Sequence, residues 1–375
     1  MTHVPTPRPA AESELNGLSA AVRKHWEDLD VRLVAGEDGL RLGRARAAVL
    51  DALLSDLFAQ AIAKTSPAGV REPIALAAVG SFGRGAVALR SDIDVRLVTR
   101  PGGRSHESAA KVADALLYPL WDAGLSVGHQ VVDANEALDL AQHDLATATS
   151  LLDLRLVAGD AALLAELDKR AFDGLFSQGE LARFVERLDE EATARHERFG
   201  GSVYLLEPEV KGGAGGLRDL DIARWAARAR YHGAAGDAWT ELVRVGVLVP
   251  REAHEISRAE EFLWRVRNRL HAHARRKSDR LTFDQQEAIA LELGYELERT
   301  DSPETRAAAA EKFMQDYFGN ARIVSRAREA LLLRATPPRR RGRPVEADLG
   351  GGVRLFDGQV TVDTSELVRD PSLAL

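Results

Sequence analysis

The sequence predicts an α+β protein, a sheet domain followed by an all-helical domain, and three observations carry that expectation. A short apolar run, Ile74 to Val79, stops abruptly at Gly80, as a buried strand entering a turn does. Downstream, Ile93, Val95 and Leu97 alternate with Asp92, Asp94 and Arg96, the period-two pattern of a strand with two faces. Beyond about Asp144 alternation gives way to apolar residues three and four apart, which is helical spacing.

Taken in order, Leu18 to about Lys64 reads as helical, with Leu40, Ala47, Val49, Leu53, Leu57 and Ile62 recurring among charges, and forms a covering element. Pro73 ends that pattern before the first strand. After the second strand, Glu107 to Leu125 returns to helical spacing and Ser126 to Asp133 reads as a third strand. Leu145 to Asp160, Ala161 to Leu175 and Leu181 to Phe199 are expected helices. The glycine-rich stretch Lys211 to Gly216 then interrupts before helix resumes at Leu217. Ile256, Ala259, Leu263, Val266 and Leu270 form one apolar stripe, and Phe313, Tyr317, Ala321, Val324 and Leu331 form another. Pro337 to Pro344 reads as a linker, and Val353 to Val362 has strand-like alternation without a visible partner.

Composition narrows the function. The chain has 375 residues, 45% hydrophobic and 29% charged, which suits a globular protein with a large core. A formal net charge of -7 argues against a general nucleic-acid binder. No signal-peptide core and no membrane-length apolar run is present, so no membrane partner and a cytoplasmic location are expected. The absence of cysteine leaves any metal to oxygen or imidazole ligands.

The residues suited to chemistry are Gly80-Ser81-Phe82-Gly83-Arg84-Gly85 followed by Ser91-Asp92-Ile93-Asp94. Glycines at a turn let the backbone approach a ligand, and clustered N–H groups suit phosphates. Ser81 adds a hydroxyl, and Arg84 a charged fork matching phosphate oxygens. Two carboxylates on one strand face repel unless a divalent cation sits between them, so Asp92 and Asp94 imply a metal. Lys211 and Arg218 flank the later glycine turn, which reads equally as a pair of cations reaching a triphosphate or as a glycine hinge with Arg218 in a surface ion pair. His271 and His273, two apart on a helix, diverge and make a poor metal pair. Arg339, Arg340, Arg341 and Arg343 read as a solvated charge run.

Gly-Ser with Gly-Arg-Gly, preceded by an apolar strand and followed by Ser-Asp-X-Asp, resembles the signature of the DNA polymerase beta-like nucleotidyltransferase superfamily. The block Leu206 to Leu220, with its Glu207-Pro208-Glu209, Gly212-Gly213 and Gly215-Gly216-Leu217-Arg218-Asp219, is similar to a segment of the bifunctional PII uridylyltransferase and uridylyl-removing enzymes. Tyr118 to Gly124, Val127 to His129, Asp144-Leu145, Leu156 to Asp160, Phe262 to Arg267 and Asp279 to Asp284 resemble the same family in order.

That resemblance implies transfer of a uridylyl group from UTP to a tyrosine of the PII signalling protein, with magnesium as cofactor. Asp92 and Asp94 would be the catalytic metal ligands. Gly80, Ser81, Gly83, Arg84, Lys211 and Arg218 would bind nucleotide. It also divides the chain into an N-terminal helical extension (1–45), a nucleotidyltransferase domain (46–144), a helical domain (145–335) and a linker leading toward a C-terminal region (336–375). Superfamily members usually add a third carboxylate from a neighbouring strand, where this sequence has Gly128 and His129, with Asp133 and Asp144 the nearest acids. The family's HD hydrolase and ACT sensor domains have no counterpart in these 375 residues, so neither uridylyl removal nor direct glutamine sensing is expected of them. A small-molecule nucleotidyltransferase and a silent nucleotide-binding regulator are the alternative readings.

Overall fold

The computed structural model describes residues 9–65, 72–232, 238–295, 302–337, 346–350, 353–356 and 359–362. Residues 1–336 form one compact unit and 337–375 a second.

The sheet of the larger unit has the order β3-β2-β1-β4. Strand β1 (Ile74–Val79) is antiparallel to β2 (Ile93–Thr99), and β2 is parallel to β3 (Val127–Asp133). Parallel neighbours need a crossover, which the helix Gly103–Asp122 provides. All of β1 is buried because both faces are covered. Leu76 and Ala78 join Ile93, Val95 and Leu97 against helices carrying Leu54, Phe58, Leu116 and Leu120. Ala75, Ala77 and Val79 join Val98 and Val132 against a second helical layer.

That second layer alters the expected two-faced character of β2. Arg96, Val98 and Thr99 are buried along with the apolar set, and Asp94 is the exposed position of the strand. The carboxylate therefore stands where the helical cover stops.

Three other expectations are corrected. The first helical stretch is two helices, α1 (Pro9–Val34) and α2 (Gly39–Thr65), separated by a turn in which Gly36 adopts φ 84°. The segment after Asp144 is not wholly helical: α6 (Leu145–Leu152; α3–α5 being Gly80–Gly83, Gly103–Asp122 and Ala134–His143) is followed by β4 (Arg155–Gly159), which pairs antiparallel with β1. This edge strand is too short and too partly exposed to show a clear alternation. In the smaller unit, Val353–Phe356 and Gln359–Val362 pair with each other, and Glu346–Gly350 pairs with the first of them, so the alternation there does have partners. Most of the expected linker, including its arginine run, lies outside the described residues.

The remaining elements of the larger unit are α7 (Ala161–Asp173), α8 (Leu181–Arg198), α9 (Leu217–Tyr231), α10 (Ala238–Arg244), α11 (Pro250–Ala274), α12 (Phe283–Glu292) and α13 (Pro303–Ala335). Helix α9 is shared between two cores. Ile222, Trp225, Ala226 and Ala229 face the layer over the sheet, while Leu217, Leu220, Ala223 and Ala227 pack with α11 and α13. The sheet and the C-terminal helices thus meet on opposite faces of one helix.

Helix α2 is tied to α11 by an uncommon cap. Glu261 accepts the N–H groups of Gly39 at 2.6 Å and Leu40 at 2.9 Å, so a carboxylate from another helix satisfies the first turn. Burial raises the Glu261 carboxyl above its ordinary value in spite of those two bonds. Glu261→Ala should lower stability by about 1–3 kcal/mol, the cost of leaving two helix-end donors unsatisfied. Urea unfolding of the two proteins measures it, and an unchanged midpoint would show that the cap contributes nothing.

Candidate nucleotide and metal site

The site begins where β1 ends. Val79 pairs with Asp94, so the turn leaving β1 opens directly beside that carboxylate. Gly80 adopts φ 60°, and a Cβ there would lie 3.8 Å from Asp94 Oδ2. The short α3 helix then brings Gly83 so close to the Asp153 carbonyl that a Cβ would collide with it.

On the other side, Asp94 pairs with Gly128 of β3, and a Cβ at Gly128 would run into Asp94 Oδ1. The neighbouring strand therefore offers space for the Asp94 side chain and not a third carboxylate. Asp92 and Asp94 face one cavity of about 420 Å³, within the usual range for small-ligand sites. Gly80, Ser81, Gly83, Arg84, Lys211 and Arg218 line the same cavity, so it brings together every residue singled out for nucleotide or metal.

Electrostatics separates the two aspartates. Burial and then the negative charge of Asp92 push Asp94 above the usual carboxylate range. At Asp92 the upward push of burial is outweighed by hydrogen bonds from Lys277 and Ser126, and its carboxyl is lowered. Lys277 Nζ lies 3.0 Å from Asp92 Oδ2.

The second glycine turn is built to hold Lys211 and Arg218 together. The Arg218 N–H donates to the Lys211 carbonyl at 2.8 Å, and Leu217 N–H to that of Val210 at 3.0 Å. Gly215, at φ 72°, passes so near the Ala321 carbonyl of α13 that no side chain fits. Two acids, Glu209 half-buried and Asp219 buried, close the turn: Glu209 accepts from the N–H groups of Gly212 and Gly213, and Asp219 from Gly215, Arg195 and His196. Burial, followed by the charges of Arg267 and Arg218, lowers the Lys211 ammonium to about 8.

Arg84 does something the sequence did not suggest. Its guanidinium bonds Asp153, the residue capping α6, and Asp221 of α9 at 2.6 Å, with Trp225 Nε1 donating to Asp153 at 2.9 Å. Both acids are almost wholly buried, whereas a fifth of the Arg84 side chain is exposed to the cavity. Its strongest partners are therefore internal carboxylates.

The connection from Arg84 to Asp92 is clamped by side chains of α11. Asn268 accepts the Leu89 N–H at 3.2 Å, and Arg267 donates to Ser91 Oγ at 3.1 Å. His271 Nδ1 accepts the Arg90 N–H at 3.2 Å, which leaves Nε2 as the protonated nitrogen, 3.1 Å from Asp279. His271 is thus a satisfied buried histidine, and burial lowers its pKa. His273 instead contacts Gln285 and Glu292. The signal for this clamp was the Phe262 to Arg267 and Asp279 to Asp284 resemblance, which carried position but no chemistry.

The fold so built is a nucleotidyltransferase-type sheet followed by a helical region, and comparisons with known proteins agree. Residues 29–141 match the family model "Putative nucleotidyltransferase DUF294", and residues 183–332 match "GlnD PII-uridylyltransferase". Among curated proteins, the chain is 36% identical over 310 residues to a bifunctional uridylyltransferase/uridylyl-removing enzyme of Rhodopseudomonas palustris, covering 82% of this chain and 32% of that protein. A protein of the same name from Cereibacter sphaeroides is 39% identical over 287 residues (75% and 29%), and one from Erythrobacter litoralis 34% over 381 (98% and 40%). Over these residues the chain is similar to proteins named bifunctional uridylyltransferase/uridylyl-removing enzyme. It spans about a third of the length of the curated relatives it matches.

A nucleotidyltransferase relationship goes with use of a divalent metal. Among the described residues no group of three or more His, Asp or Glu could hold one. Two carboxylates with mutual repulsion still suit a hard cation that completes its shell with substrate phosphates and water. The donor set fits on those terms.

Replacing Arg84 tests its internal role. Arg84→Met would strand two buried carboxylates and should cost about 2–4 kcal/mol, somewhat less than a fully buried pair because the guanidinium is partly exposed. Chemical denaturation measures this, and an unchanged stability would return Arg84 to a ligand-binding role alone.

Proposed function

We propose that the chain transfers UMP from UTP to a tyrosine hydroxyl of a PII-type signalling protein, in the cytoplasm, with magnesium as the metal. The observation that carries the reading is the shared cavity in which Asp92 and Asp94 face Lys211 and Arg218. The names of the relatives supply the base and the acceptor.

In the reaction the phenolic oxygen forms a bond to the α-phosphorus, the α–β bridging P–O bond breaks, and its electron pair leaves with pyrophosphate. The phenolic proton passes to water. Asp92 and Asp94 would hold magnesium, which when bound supplies charge neutralisation and polarises phosphate oxygens. The N–H groups of the Gly80 turn and Ser81 orient the phosphates. Lys211 and Arg218 balance the charge gathering on the leaving pyrophosphate. Arg218 also lies over the Trp225 ring at 5.3 Å and 3.3 Å from Asp221, which limits the orientations of its fork. Arg84 shapes the turn from behind through Asp153 and Asp221.

Transfer of radiolabelled UMP to purified PII is the direct test. Asp92→Asn and Asp94→Asn should each reduce the rate by at least about a thousandfold, on the scale of losing a charge-stabilising catalytic group, with the fold intact by circular dichroism. Turnover retained by either folded variant would remove the two-aspartate site. Label entering a small molecule and never PII would point instead to a small-molecule acceptor.

Lys211 adds a pH signature. Its folded pKa is depressed to about 8, so it is charged below that pH and loses its charge as pH rises through it. UTP affinity, measured without acceptor, should therefore weaken above about pH 8. Lys211→Arg keeps the cation and should move that decline to higher pH. An identical pH profile in the two proteins would exclude Lys211 as the titrating ligand.

A further inference from the structure

A second and larger cavity, about 1080 Å³, opens on the other side of Asp92. The two cavities share Ser91, Asp92 and Lys277, so the aspartate forms part of the wall between them. With 42% of its side chain exposed, Asp92 is accessible. An in-line displacement needs the attacking oxygen to approach opposite the leaving group. If the triphosphate lies with Lys211 and Arg218 in the first cavity, the second is the open approach to the same aspartate.

The chemistry of the second cavity differs from that of the first. One wall is α1, with Arg23, Trp26 and Asp30; another is the end of α11 and the loop after it, with Arg269, Arg275 and Arg276. Seven arginine and lysine side chains line it against four Asp and Glu, in a protein whose net charge is -7. Three of the acids are already engaged: Asp30 with Arg90, Glu292 with Arg269 and His273, and Asp92 with Lys277. Arg23, Arg275 and Arg276 are exposed and form no ion pair among the described residues. The surplus is positive and faces solvent. Trp26, half-buried with Arg90 stacked at 5.1 Å, adds an aromatic surface to the same wall.

We propose that this cavity is the docking site of the protein acceptor, and that its occupant is an acidic surface loop carrying the modified tyrosine. The inference rests on the functional reading above and deepens it. Size favours a polypeptide loop, since the cavity exceeds the usual small-ligand range. Charge favours an acidic one, because unpaired cations on two separate elements converge beside the catalytic aspartate. Neither Arg23 nor Arg276 lines the nucleotide cavity, so their effects separate acceptor from donor.

The test is steady-state UMP transfer by the full chain, with PII varied at saturating UTP and then UTP varied at saturating PII. Arg23→Glu with Arg276→Glu should raise the KM for PII at least tenfold while the KM for UTP changes less than twofold, and added salt should shrink the difference. A charge-matched control with Lys312→Glu and Arg326→Glu, exposed positions lining neither cavity, should leave both constants near those of the parent. An unchanged KM for PII in the folded Arg23→Glu, Arg276→Glu protein, or an equal rise in the control, would overturn the proposal. A parent chain that leaves PII unmodified sinks the functional reading itself. The surface is then judged by fluorescence anisotropy with a labelled peptide carrying tyrosine between glutamates. Binding that the double variant loses supports the surface, and binding absent in the parent or equal in both rejects it.

Discussion

One buried ion-pair cluster holds the site in shape: Arg84 between Asp153 and Asp221. Asp153 ends α6 beside the sheet, and Asp221 lies on α9, whose other face belongs to the C-terminal helices. A guanidinium has donors enough to bond both at once, in a fixed plane, which a lysine cannot reproduce. The turn carrying Gly80 and Ser81 is thereby fixed to the helix carrying Arg218. Such a cluster is a costly way to gain stability, because three charges lose water. Its benefit is positional: the phosphate-facing turn and the cations opposite it cannot move independently.

The same reasoning applies to the aspartates. Asp94, although the exposed position of β2, is partly desolvated within the cavity and repelled by Asp92, and the glycine at 128 makes room for its carboxylate where a side chain would collide. A third acid at that position would add a further like charge as well as a clash. The protein instead surrounds the pair with Lys211, Lys277 and Arg218, whose charges all act on Asp94. An incoming cation would therefore meet two carboxylates partly balanced by lysine and arginine, and phosphate oxygens would have to complete its shell.

What was legible in the sequence follows from range. Strand β1 and the face of β2 were readable because their periodicity is local, and the glycine turn and Asp-X-Asp pair because they are contiguous. The joint lining of one cavity by Gly80, Asp94, Lys211 and Arg218 followed from a resemblance whose motifs are more than a hundred residues apart. Strand β4 was not legible, since its pairing with β1 is decided by a partner some eighty residues away and its edge position weakens alternation. The break between α1 and α2 was hidden for a similar reason: the cap on α2 comes from Glu261. The internal partners of Arg84 were not legible either, because nothing in Gly-Arg-Gly reveals that Asp153 and Asp221 converge on it.

The clamp from α11 shows how far the site depends on residues that touch no substrate. The segment from Leu89 to Ser91 is held by Asn268 and His271 through its backbone N–H groups and by Arg267 through the Ser91 hydroxyl, and His271 and Arg267 converge on Asp279. The Asp279 carbonyl in turn accepts the N–H of Val210, one residue before Lys211. One aspartate therefore links the segment leading into Asp92 to the segment that presents Lys211. His271 must remain neutral and in one tautomer for this to work, since a proton on Nδ1 would remove the acceptor for the Arg90 N–H. Burial favours the neutral form. The distance between the aspartate pair and the facing lysine is consequently set by a chain of buried hydrogen bonds through α11, and not by the sheet alone.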